Sequence, residues 1–451
     1  MQGKLRSLIL ACGLMAARQA TMATPAAAQP SPPVEQSAAA GAETAPLPEP
    51  TGEVRLRDAL ALALQRSPDL TSFSWQLRAA EAREVQAGLR PNPELGLLTE
   101  DIGVSGQTRG VDQAQMTLEL GQLIELGGKR AARVEVAARG RDLAAWDYEI
   151  ARIDVLARTA QAFTGVLVAQ EQVGLAEESV ELARAVVDAV GVRVRAGSTS
   201  TVEQTKADVA VASARVELDE ARRALEVARR ELAAAWGATT PTFSRAVGRL
   251  DHLTPVPPLA ALEARIDDSP GVARWVSELA ERQAVIDLER SRAVPDVTAT
   301  GGYRRLFDPD ENTFVVGLSI PLPVLNRNEG AIAEAEHRLQ QARSEQQSTR
   351  VRVTTAIDDA YQALATARNQ IATLDRDVLP GARQAFTLLD EGYREGRFSY
   401  LEVLDAQRTL IGARAQRVRA LGDHQRAIVT LERLLGEPVT AARTTPVKDE
   451  D

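Results

Sequence analysis

The stretch EGYREGRFSYLEVLDAQ, Glu391–Gln407, repeats the punctuation of VGVRVRAGSTSTVEQTKAD, Val190–Asp208. Gly396, Ser399 and Glu402 answer Gly197, Ser200 and Glu203, each 199 positions apart. A glycine closing a long helical pattern takes positive φ at the C′ position without a Cβ clash. Ser-x-x-Glu is a capping box: the serine oxygen accepts from the backbone three residues on, and the glutamate reaches back to the serine N–H. Each stretch therefore reads as a helical hairpin with a very short turn, near 196–200 and near 395–399. On these residues alone Glu203 and Glu402 cap helices, and Asp405 complements a helix dipole from the same first turn.

Working outward, the whole chain is duplicated. RSPDL at Arg66–Leu70 is answered by DSPGV at Asp268–Val272, and Pro93 by Pro295, both 202 positions on. AAAWG ends at Gly237 and ERLLG at Gly436, again 199 apart. The repeats span 54–237 and 259–436, with a Pro-rich connector at 238–258. Each has a helix broken by proline (near Pro68 and Pro270), two strands, a long helix, the tip and a returning helix. The strands are expected at about 93–100, 112–123, 295–304 and 313–322.

The strand segments alternate. Ala114, Met116, Leu118 and Leu120 share one face, with Gln113, Gln115, Thr117 and Glu119 opposite. Phe314, Val316, Leu318 and Ile320 alternate with Val315, Gly317 and Ser319. This pattern suits a membrane barrel strand, and equally a half-buried soluble hairpin. The long helix of the first repeat runs from Gly128 to Arg195, roughly 100 Å at 1.5 Å per residue. The returning helices carry heptads that shift register: Val202, Val209, Val216, then Leu218, Leu225, Leu232; and Leu404, Ile411, Val418, then Leu421, Ile428, Leu435. A moving stripe demands partners on more than one side.

The ends and the composition bound the rest. Lys4 and Arg6, the apolar run Leu8–Ala17 and PAAAQP read as a secretory signal, 1–28, cleaved after Ala28. The alternative is lipidation at Cys12, the only cysteine, so no internal disulfide exists. Residues 29–53 and 437–451 read as a disordered Pro/Ala-rich tether and a flexible tail. A net charge of −9 does not suggest nucleic acid. The three histidines, His252, His337 and His424, are scattered, and no metal, cofactor or catalytic motif occurs. No enzyme, cofactor or resident metal is expected.

LRPNPELGLLTE, LIELGGKRAAR, LSIPLPVLNRNEG and YREGRFSYLEVLDAQRTL, in duplicated order over about 54–437, resemble the TolC-type outer membrane factors. RPNPEL with ELGGKR is most similar to their CzcC-type heavy-metal branch. The resemblance implies a mainly α protein with membrane β-structure. Four strands per chain, from three chains, would close one twelve-stranded outer membrane barrel above a periplasmic helical barrel. It implies a homotrimer in outer membrane lipid, a periplasmic adaptor at the tips and an inner-membrane RND-type pump that drives a passive duct. It places Gly197, Ser200, Gly396 and Ser399 at the adaptor-contacting tips, and Glu402, Asp405 and Tyr393 at the periplasmic gate. Two positions depart from the family pattern: Phe398, where some members have a basic residue, and Lys206, which answers Asp405 in the first repeat. The implied cargo is divalent heavy-metal cations, with drugs or other small molecules as the alternative. A periplasmic adaptor or a coiled-coil structural protein is the competing class.

Overall fold

The computed structural model describes residues 48–103, 105–106, 110–253, 255–308 and 310–439. The signal segment, Cys12 and most of the tether and tail lie outside them.

The chain runs β1 (Glu53–Arg55), α1 (Leu56–Arg66), α2 (Pro68–Ala87), β2 (Glu94–Glu100), β3 (Gln115–Ile124), α3 (Lys129–Arg195) and α4 (Thr201–Ala234). After β4 (Arg245–Val247) and the short α5 (Leu259–Glu263), the plan repeats. It continues with α6 (Pro270–Arg292), β5 (Val297–Leu306), β6 (Glu311–Ser319), α7 (Glu329–Thr373), α8 (Leu379–Arg394) and α9 (Tyr400–Leu435). Pro68 and Pro270 begin α2 and α6 after Ser67 and Ser269, where a missing N–H removes no helix bond. The glycines that close the repeats, Gly237 and Gly436, both have positive φ, 81° and 75°. They lie against these same prolines: a Cβ on Gly237 would sit 3.1 Å from Pro68 Cδ, and one on Gly436 would overlap the Pro270 ring. Two repeated sequence marks are thus one contact, made twice.

Helix α3 is unbroken for 67 residues, about 100 Å at 1.5 Å per residue. Its counterpart is interrupted. Between α7 and α8, Leu374–Val378 form a π-helical turn just before Pro380. Proline has no N–H for the carbonyl four residues back, and a π-turn accommodates that gap inside an otherwise continuous helix.

The helices pack through separate thin cores. Phe163, Val166 and Leu167 of α3 join Leu232 of α4, Trp236 and Leu421 of α9 in one. Ile357 and Leu364 of α7 join Ile428, Leu431 and Leu435 in another. The heptads of α4 divide. Leu232 is buried and Leu225 packs beside it, whereas Val202, Val209 and Val216 are exposed at 59%, 60% and 56%. Ala207, Val211 and Ala214 face α3 instead. The valine seam therefore has no partner within the described residues of its own chain.

Strands β2-β3-β5-β6 form one antiparallel sheet. Its register aligns Leu97, Leu118, Tyr303 and Phe314 across all four strands. With Leu95, Leu120, Val316 and Leu318 they make an exposed apolar face, Phe314 at 85% and Val316 at 87%. The opposite face carries Glu119, Thr300, Gly302 and Arg304, among others. Glycine is needed there: a Cβ on Gly302 would lie 2.8 Å from the Leu118 carbonyl oxygen.

Three expectations change. The connector contains β4, which pairs in parallel with β1, so there are two strands beyond the expected four. Of the expected tether, residues 48–53 are described and held in place, Ser244 N–H donating to Gly52 O at 2.9 Å and Thr242 Oγ1 to Pro50 O at 3.1 Å. The tail is ordered through Val439, which is fully buried, and Arg265 Nε donates to Glu437 at 2.7 Å. Backbone pairing and a buried guanidinium order segments whose composition promises no core.

Candidate functional site at the hairpin tips and the strand sheet

Both tips end their helices with a Schellman motif. Ser198 N–H reaches Arg193 O at 3.0 Å and Gly197 N–H reaches Val194 O at 3.0 Å. Arg397 N–H reaches Gly392 O at 2.7 Å and Gly396 N–H reaches Tyr393 O at 2.9 Å. Gly197 and Gly396 have φ of 73° and 79°, the left-handed region that penalises a Cβ. A Cβ on either would meet nothing within 4 Å, so conformation alone requires glycine.

The helix starts differ. At α9 the capping box is complete, and the Glu402 carboxylate accepts from both Ser399 N–H and Ser399 Oγ–H at 2.8 Å. Those donors hold its pKa below the usual carboxylate range. At α4 the expected box is not made, and a simple serine cap reaching two residues on replaces it. Ser200 Oγ accepts from Val202 N–H at 3.1 Å, but Glu203 takes its hydrogen bond from Thr199 Oγ1 at 2.6 Å. A hydroxyl one residue earlier, where the second copy has Phe398, captures the glutamate.

Glu402 and Asp405 are exposed on one turn of α9. Tyr393, grouped with them as a gate residue, is only 2% exposed. It packs with Tyr400, Val403, Val186, Val190 and Ala207 in a core shared by all four tip helices. Arg193 of α3 lies over the Tyr393 ring, 4.6 Å from its centroid, and its Nη1 donates to Tyr393 O at 2.8 Å. Burial pushes the Tyr393 phenol pKa up, against the pull of the Arg193 charge, and its hydroxyl has no hydrogen-bond partner among the described residues. Phe398 lies against Gly392, where a Cβ would overlap its ring. The departure from a basic residue thus fills a packing site. Arg193 was not singled out by sequence reasoning; a basic residue in a last helical turn reads as a dipole complement.

No group of three or more potential ligands that could hold a metal ion occurs among the described residues, and no described helix is long and apolar enough to cross a membrane. The exposed apolar face of the sheet is of a kind suited to lipid.

The family model for outer membrane efflux proteins matches residues 59–238 and 263–437. The chain belongs to the outer membrane efflux protein family. The cobalt-zinc-cadmium resistance protein CzcC of Cupriavidus metallidurans is 38% identical over 388 residues, 86% of this chain and 91% of that protein. The nickel and cobalt resistance protein CnrC of the same organism is 33% identical, covering 69% and 73%. The outer membrane protein VceC of Vibrio cholerae has the same fold, with a TM-score of 0.70 at 21% identity over 85% of this chain and 96% of that one. Family membership makes this efflux protein an outer membrane channel component rather than an enzyme. It also resolves the two readings of the strands: the exposed leucines, valines and Phe314 belong to a membrane sheet.

Proposed function

We propose that three copies of this chain close into a passive exit duct for divalent heavy-metal cations, fed by a periplasmic adaptor and an inner-membrane RND-type pump. The sheet carries the proposal. It is apolar on one face and polar on the other, and its edges β2 and β6 are unpaired among the described residues of the chain. Unpaired strand edges are not tolerated in lipid, so the sheet must close with copies of itself. The names of the metal-resistance relatives support the cargo. Two pyoverdine export proteins at 27% and 25% identity support a second cargo class, small organic molecules. In this reading Gly197, Ser200, Gly396 and Ser399 shape the adaptor-contacting tips, and three copies of Glu402 and Asp405 ring the periplasmic entrance, favouring cations.

Glu402→Gln with Asp405→Asn tests the gate. Glutamine still accepts from Ser399, so the cap survives while the charge goes. In planar bilayers the double variant should show reduced cation selectivity and be less blocked by divalent or trivalent cations added on the periplasmic side. Unchanged selectivity and block would leave both residues as helix-start groups only. For cargo, a deletion strain should become sensitive to cobalt, zinc or cadmium salts. Sensitivity confined to organic compounds would favour the second class.

A further inference from the structure

We propose that Glu119 sets the charge selectivity of the strand barrel, as a determinant separate from the tip acids. The inference rests on the duct reading, which makes the polar sheet face the lumen. On that face Arg304 binds Glu100 at 3.2 Å, Thr117 Oγ1 at 2.9 Å and Gln115 at 3.2 Å. Its charge is thereby committed towards the outer end of the sheet, where β2 ends and β3 begins.

Glu119 stands midway along β3, an interior strand that the chain's own β2 and β5 flank. Its direct register partners are both glycine, Gly96 on β2 and Gly302 on β5. A Cβ on Gly302 would come within 3.1 Å of Glu119 Cβ, and one on Gly96 within 3.1 Å of its Cγ and Oε1. The carboxylate therefore occupies a clearing with no side chain on either side. Among the described residues it makes no hydrogen bond or ion pair, and it is half-exposed. Glu94 and Glu311, also unpaired, lie at opposite ends of the strands.

Such a carboxylate has no partner to neutralise it and no dry cradle to bind a cation tightly. It raises local cation concentration while letting the ion leave, as conduction requires. An unpaired charge in an aqueous lumen acts only over the Debye length, about 10 Å at 0.1 M salt and about 3 Å at 1 M. Its contribution must therefore fade with salt.

The experiment measures reversal potentials across KCl gradients with the full-length protein in planar bilayers, near 0.1 M and near 1 M. Glu119→Gln should lower the potassium-over-chloride permeability ratio by about two-fold or more at low salt and change it little at high salt, as screening dictates. Glu119→Lys should lower it further. Glu119→Ser replaces the glutamine variant should that one fail to assemble. Wild-type channels whose ratio none of these moves, or moves equally at both salts, overturn the assignment of Glu119 and leave the duct intact. A wild-type protein that forms no channel overturns the duct reading itself.

Discussion

Replacing Arg193 by alanine should loosen the hairpin tips without unfolding the chain. Arg193 gives Tyr393 O a 2.8 Å hydrogen bond and covers its ring at 4.6 Å. A hydrogen bond from a charged donor contributes about 1.5–3 kcal/mol, and a partly exposed cation–π contact about 0.5–1 kcal/mol. Arg193 is only half-buried, so rehydration offsets part of the loss, leaving about 2 kcal/mol. Hydrogen exchange reads this directly, because local opening sets the exchange rate. At 1.36 kcal/mol per tenfold, amides in Glu391–Val403 should exchange about thirty times faster, while those of Phe163–Ala169 in the α3–α9 core should not change. Tyr393→Leu should give a similar increase, and Tyr393→Phe should give none, because the hydroxyl it removes has no partner among the described residues. Acceleration below about three-fold at the tip, about 0.6 kcal/mol by the same conversion, would refute the coupling. So would equal acceleration along all of α3.

Gly396→Ala and Gly197→Ala should each cost about 1–2 kcal/mol locally, since only the left-handed φ penalises them; exchange at the turn amides checks this. Gly302→Ala should do greater damage, because its Cβ would meet backbone at 2.8 Å; the readout is a lower yield of trimer on chemical crosslinking. His424 is 1% exposed, and its pKa is lowered first by burial and then by Arg368. A base with a lowered folded pKa takes its proton more readily when unfolded. Stability should thus hold above the ordinary histidine value of 6.5 and fall as pH drops below it. His424→Leu should flatten that fall in melts between pH 7 and pH 5, windows set by ordinary histidine titration.

What the residues announced depended on how local the physics was. Gly197 and Gly396 were legible because a left-handed φ is a demand on one residue. The sheet was legible because alternation is a property of each strand, and the register then aligned Leu118 with Tyr303 and Phe314. Arg193 and Tyr393 were not paired in advance, because 200 residues separate them and neither is among the matched positions of the two tip stretches. β1 and β4 are three residues each, too short to show a period, and only their pairing defines them. The Val202–Val209–Val216 seam signalled a need for partners, but periodicity says nothing of which chain supplies them. Both tip stretches spelled Ser-x-x-Glu, yet Thr199 diverted Glu203, a competition between neighbouring hydroxyls that spacing cannot decide.

The π-turn at Leu374–Val378 is more than relief for a proline. An α-helix advances about 100° per residue; a π-turn fits one additional residue into a wider turn and so sets everything beyond it back by about that angle relative to unbroken α-helix. Tyr393 lies fifteen positions past the end of the turn, and its bearing on Arg193 depends on that rotation. Deleting one residue here would leave a smoother helix whose far end keeps its bearing, whereas making the same residues regular α-helix would swing that end by about 100°. The irregularity works as an angular setting, placed far from the tip, that aims one hairpin at the other.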